Sequence, residues 1–164
     1  MTPELHRPIR TDRIGPEGLT VEIEATQEEC ARLTARMHIP AVQALRVRFQ
    51  LTREPDDRFA ASGWLVARVV QTCVVSLEDF EASVEEAFRI RFVPEGTEQE
   101  DPDPDSDDEL PYAGSVIDLG EAAAEQLALA LDPYPRRPDA VLPEAAGEDA
   151  ANPFAALAAL RRKD

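Results

Sequence analysis

Cysteine is scarce in this chain: Cys30 and Cys73 stand far apart among 164 residues and form no C-x-x-C pair. Such usage excludes a disulfide framework and suits a reducing compartment. Histidine is equally thin. His6 and His38 have no cysteine or paired carboxylate nearby and read as surface or packing positions rather than ligands. No stretch approaches the roughly 18 apolar residues of a membrane span, and the opening MTPELHRPIRTD lacks the apolar centre of a secretory signal, so a cytoplasmic location is expected. No G-x-S-x-G elbow, G-x-G-x-x-G loop or Walker sequence occurs. The GPEG at Gly15 to Gly18 carries Pro and Glu where an RNA-clamping G-x-x-G loop favours bases, and it reads as a turn. Enzyme chemistry therefore has little to stand on, and a non-enzymatic protein without metal or cofactor is expected.

What the chain does contain is acid. The formal net charge is −16, in a composition 43% hydrophobic and 30% charged that fits one soluble domain. That charge opposes nonspecific attraction to nucleic acid and favours basic partners; an RNA contact would need a local basic patch. Fourteen prolines outnumber seven glycines, and nine of them fall at or after Pro94.

Hydrophobic periodicity divides the chain into strands and two helices. A short strand is expected around Leu5 to Thr11, and a clear one where Leu19, Val21, Ile23 and Ala25 alternate with Thr20, Glu22 and Glu24. Thr26 and Glu29 form a T-x-x-E capping box, and Cys30, Leu33 and Met37 give a helix an apolar side until Pro40. Leu45, Val47, Phe49 and Leu51 alternate in the next strand. Trp64 to Cys73 is apolar on both faces and reads as a strand covered twice, or central. The stretch to Phe92 then places Phe80, Ala82, Val84, Phe88, Ile90 and Phe92 on one face, with Glu86 the polar exception, completing a three-stranded antiparallel meander. A second helix is expected from Asp118 and Glu121 to Pro133, with Gln126 on its core-facing spacing.

Between Glu95 and Glu109 lie nine acids and no base. Asp101, Asp103 and Asp105 have the spacing that opens a calcium loop, but Ser106 stands where its sharp turn requires glycine and Tyr112 where a bidentate Glu belongs. The plainer expectation is a solvated acidic loop, disordered over residues 95–113; the functional alternative is contact with a basic protein through Asp101, Asp103, Asp105, Asp107 and Asp108. Arg46 with Arg48, and Arg89 with Arg91, lie on the polar faces of two strands and are candidate RNA contacts if those faces align. Ordinary pairing with Glu81, Glu85 and other surface acids is the competing expectation. Residues 139–164 read as a flexible tail ending in a short amphipathic helix around Phe154, Leu157 and Leu160, followed by the basic cluster Arg161, Arg162 and Lys163.

The segments QTCVVSLEDFE and EEAFRIRFVPE, the acidic loop, and VIDLGEAAAEQLALALDPYPRRPDA resemble, in order and spacing, the bacterial YceD family of large ribosomal RNA subunit accumulation proteins, and RPIRTDRIGPEGLTVEIEA with NPFAALAALRR is similar to its alphaproteobacterial branch. The resemblance implies a role in synthesis, processing or stability of large-subunit ribosomal RNA, with no assigned catalysis. Many members carry C-x-x-C where this chain has Cys73 and Ser76, which argues against a zinc or redox role here. Of the positions carried over, Glu125 and the PYPRRP stretch, with Arg136 and Arg137, are not needed for a core and become candidate partner contacts. The expectation is a single α+β domain over residues 1–138, an antiparallel sheet packed by two helices. The expected function is that of a non-enzymatic factor for large-subunit RNA accumulation, processing or stability and ribosome assembly, acting on that RNA or a precursor particle, with basic ribosomal proteins as a route of contact. The rival is an acidic adaptor engaging a basic partner without a ribosomal role; a metal-dependent hydrolase built on the carboxylates is the weaker third.

Overall fold

The computed structural model describes residues 3–100 and 103–142. Within them an α+β fold is built on one five-stranded sheet and one two-stranded ribbon. Strands β2 (Leu19–Glu24), β3 (Ala41–Arg53), β4 (Phe59–Thr72) and β5 (Asp79–Pro94) follow one another as antiparallel neighbours. Strand β1 (Pro8–Arg10) pairs instead with β7 (Val116–Asp118), outside the main sheet.

Both helices lie on one face of that sheet. Helix α1 (Gln27–Met37) starts where the T-x-x-E pattern says it should: Glu29 N–H donates to Thr26 Oγ1 at 3.2 Å while Thr26 N–H donates to Glu29 Oε2 at 2.9 Å. It ends on His38, whose φ of 53° is left-handed, followed by Pro40. Helix α2 (Leu119–Ala130) is capped by Asp118, whose Oδ1 accepts from Gly120 N–H at 2.9 Å and Glu121 N–H at 3.3 Å. The same oxygen accepts from the backbone of Arg7, and Leu119 N–H donates to Arg7 O, so the incoming chain crosses the helix start at close range. Gly120 permits this: a Cβ there would lie 2.5 Å from Leu5 O.

The alternation in β3, β4 and β5 sets the layers. Leu45, Val47, Phe49, Leu65, Ala67, Val69, Ile90 and Phe92 are buried against Leu33 of α1 and Leu127 of α2. Across the middle of this face Phe49, Gly63 and Phe88 are direct cross-strand neighbours, and the two rings meet edge-on over the glycine at 5.4 Å.

One pair of alternatives is resolved and one expectation needs correcting. Strand β4 is central but covered on one face only, since Trp64 is 49% exposed and Val66 36% exposed on the open side. Its apolar pattern reflects β-propensity and cross-strand packing there rather than a second layer. The stretch 95–113 is not structureless throughout: Asp108–Tyr112 form β6, which pairs in parallel with β5 from Ile90↔Asp108 to Pro94↔Tyr112. A parallel neighbour needs a crossover, because the chain must travel back along β5 before it can pair. Residues 95–107 are that connection. Leu110 and Tyr112 secure the strand by packing toward the core, with Tyr112 edge-on to Phe59 at 5.9 Å. The tail helix expected around Phe154, Leu157 and Leu160, the basic cluster Arg161, Arg162 and Lys163, and Asp101 lie outside the described residues.

Candidate functional site

The acidic segment folds its carboxylates into two groups, by strand alternation. On the open side of the sheet, Asp107 lies 3.4 Å from Arg89 and 3.8 Å from Arg91, and Glu109 lies 3.1 Å from Arg58 while accepting Gln99 N–H at 2.9 Å. On the helix side, Asp108 and Leu110 share a face with Ile90 and Phe92. There a cleft of about 430 Å³ opens between α2 and the crossover, lined by Glu98, Asp103, Asp108, Leu110, Glu125, Gln126 and Leu129 among others. A second cavity of about 290 Å³ shares Leu110 and Glu125 with it and runs on along α2 toward Glu121 and Asp118. The two form one groove between β6 and the helix.

Glu125 stands at the junction. It makes no hydrogen bond or ion pair among the described residues, and burial, reinforced by Glu121 one turn away and opposed by Arg36, pushes its carboxyl above the usual range. Glu121 is differently placed: Arg36 of α1 grips it at 2.6 Å and also holds Glu4 at 3.0 Å, tying the two helices and the N-terminal segment together. Asp118 is consumed by capping and by His6, whose Nδ1 is 2.5 Å away. Of the remaining acidic candidates, Asp103 accepts Asp105 N–H at 3.0 Å in a local turn, and Asp105 is exposed. Among the described residues no three His, Cys, Asp or Glu side chains converge as metal ligands.

The arginine candidates do share the open face, on either side of β4, and each meets an acid. Arg46 pairs with Glu24 at 3.3 Å, Arg48 with Glu22 through its Nε at 2.8 Å, Arg89 with Asp107, and Arg91 with Glu54 at 2.7 Å. Glu81 binds Gln43 instead. Trp64 and Val66 lie exposed between the two arginine pairs, neighbours in register to Arg48 and Arg46. As a mixed-charge surface with an apolar centre, it offers RNA no net positive field.

Past α2, the PYPRRP stretch docks on the β4–β5 turn. Val74 N–H donates to Pro135 O at 2.9 Å, and the Arg137 guanidinium pairs with Glu78 and, at 2.8 Å, with Asp139. Arg137 therefore fastens the segment, while Arg136 is exposed. The fully buried Cys73 thiol sits under this clasp, accepting N–H groups of Ser76 and Arg137 at 3.4 Å each. Those bonds, Ser76's first, favour its thiolate and lower the thiol to about 7. Ser76 thus keeps the turn closed around a single sulfur.

The residues from Ala61 to Arg161, which carry the β4–β5 pair, the acidic crossover, β6, α2 and the clasp, match the family described as large ribosomal RNA subunit accumulation protein YceD. The chain belongs to the YceD family. No curated protein and no solved structure matches it. The groove, with Glu98 to Leu129, falls wholly inside the YceD match, as do Arg89, Arg91, Arg136 and Arg137, whereas Arg46 and Arg48 precede it. The family name points to a role in accumulation of large-subunit ribosomal RNA. No helix among the described residues is long and apolar enough to cross a membrane, which leaves β-barrels aside.

From the sequence Glu125 stands out as a contact, whereas Gln126 has the core spacing of Ala122 and Ala123 and is indeed buried, but at the lining of the groove. No sequence signal separates a polar residue packed in a core from one packed under a groove. The exposure of Trp64 has a related reason, since an apolar side chain reveals nothing about which face of a central strand is covered.

Proposed function

We propose that this protein is a non-enzymatic, cytoplasmic factor for accumulation of large-subunit ribosomal RNA, acting on the RNA's precursor particle through a basic protein component rather than through direct RNA readout. Membership of the YceD family supports the ribosomal part. The observation that carries the mechanism is the distribution of charge: every arginine candidate on the open face is balanced by an acid, while Asp108 and Glu125 line the groove beside α2 without an ion-pair partner among the described residues. A surface of this sign in a chain of net charge −16 repels phosphate and attracts lysine and arginine, which ribosomal particles offer through their proteins.

Capture of the tagged protein from growing cells, with and without ribonuclease, tests this. Large-subunit precursors should be recovered, and their basic protein components should remain after ribonuclease. Recovery of an unrelated protein alone would support the adaptor reading; loss of all partners on ribonuclease treatment would mean that RNA itself is held.

A further inference from the structure

The residue that distinguishes the groove from a merely acidic surface is Gln126. Three polar or charged residues are buried among the described residues: Glu29, Gln71 and Gln126. Glu29 is gripped by Arg7 at 2.7 Å and Gln71 donates to Asp132 O at 3.1 Å, but the side chain of Gln126, a residue 8% exposed, has no hydrogen-bond partner among the described residues. A polar side chain packed this deeply with no protein partner leaves its amide free to bond whatever enters the space it faces. Its side chain lines the cleft. Among the described residues no buried side-chain polar atom lacks both a partner and solvent access, so the Gln126 amide, in the cleft lining, is still reached by water.

We propose that the groove between β6 and α2 binds an arginine- or lysine-bearing extended segment of a protein partner, with Gln126 and Glu125 receiving one basic side chain at its floor. The inference deepens the functional reading above and rests on it for the partner's class. Leu110 and Leu129 supply apolar walls for the aliphatic stem, Gln126 Oε1 accepts a hydrogen bond from the cationic head, and Glu125 with Asp108 and Glu98 provides the countercharge. The volume, about 430 Å³, is within the range of sites that enclose a ligand group. Strand β6 ends the sheet, with no further strand paired to it among the described residues. Among the described residues no arginine or lysine lines this cleft; Asp107 and Glu109, which also line it, are met by Arg58, Arg89 and Arg91.

The test is fluorescence anisotropy with a short labelled peptide of alternating Arg and Ser, its Lys counterpart, an acidic counterpart with Glu, and single-stranded oligouridine. Gln126→Leu should weaken binding of the basic peptides by about tenfold without any change of charge. Glu125→Gln and Asp108→Asn should weaken it severalfold, while Asp105→Asn, which removes the same charge from the same segment outside the cleft, should leave it within about twofold. Thermal melting and near-ultraviolet circular dichroism confirm that each variant is folded; should Gln126→Leu fail to fold, the contrast between Asp108→Asn and Asp105→Asn decides. Equal effects of those two changes, undiminished binding by Gln126→Leu, or preferential binding of oligouridine overturns the proposal. Loss of peptide binding by Gln126→Leu with precursor capture intact would place the cellular contact elsewhere and sink this site alone, leaving the functional reading standing.

Discussion

Replacing Gly63 by alanine is the sharpest test of how the sheet is packed. A Cβ at that position would lie 2.0 Å from Phe88 Cζ and 2.5 and 2.6 Å from the flanking ring carbons. Carbon atoms in contact sit about 3.5–4.0 Å apart, so ring or strand must shift by roughly 1.5 Å. Phe88 cannot simply rotate away, because its ring also packs edge-on against the fully buried Phe49. Overpacking of this kind costs about 1–3 kcal/mol, and part of the aromatic pair's ~0.5–1.5 kcal/mol goes with it. Alanine recovers about 0.5–1 kcal/mol by stiffening the unfolded chain. The net expectation is a loss of about 2 kcal/mol, read as a lower urea midpoint at unchanged slope and a melting temperature reduced by roughly 4–8 °C. Shrinking the ring should relieve the clash, so Gly63→Ala combined with Phe88→Leu should be more stable than the sum of the single changes by at least about 1 kcal/mol. A Gly63→Ala protein within ~0.5 kcal/mol of the parent, or strictly additive changes, would refute the packing.

Two further outcomes concern the helices. The Arg7 guanidinium, followed by Thr26's backbone N–H, holds the Glu29 carboxyl at about 2 against an ordinary 4.5, so Glu29 contributes stability that is present above about pH 4.5 and lost as pH falls toward 2; Glu29→Gln should lower stability at neutral pH by roughly 2 kcal/mol, part of the full linkage being screened where Arg7 meets water, and the difference should close near pH 2 in urea titrations. His38→Gly should raise stability by about 0.5–1 kcal/mol in the same assay, because its left-handed φ of 53° strains any residue with a Cβ.

The helix caps and the strand alternation were legible in the chain because each is a local pattern with a local cause. Thr26 and Glu29 satisfy each other three residues apart, and Leu45 to Leu51 alternate wherever that strand is paired. Strand β6 was hidden for the opposite reason. Its five residues, DELPY, include two acids and a proline, and their pairing with β5 is decided by the route of residues 95–107 rather than by propensity. The groove could not be read either, since it exists only once that strand lies beside α2. Among site residues, the acids were visible as a cluster, but which of them stay without a countercharge depended on Arg58, Arg89 and Arg91 arriving from distant strands.

The central claim, that the protein serves accumulation of large-subunit ribosomal RNA without acting as an enzyme, is tested most directly by depleting it from cells and measuring the ratio of large- to small-subunit ribosomal RNA. The account predicts that the ratio falls, that the parent protein restores it, and that a protein carrying Glu125→Gln with Asp108→Asn restores it poorly. A ratio that stays unchanged on depletion would contradict it.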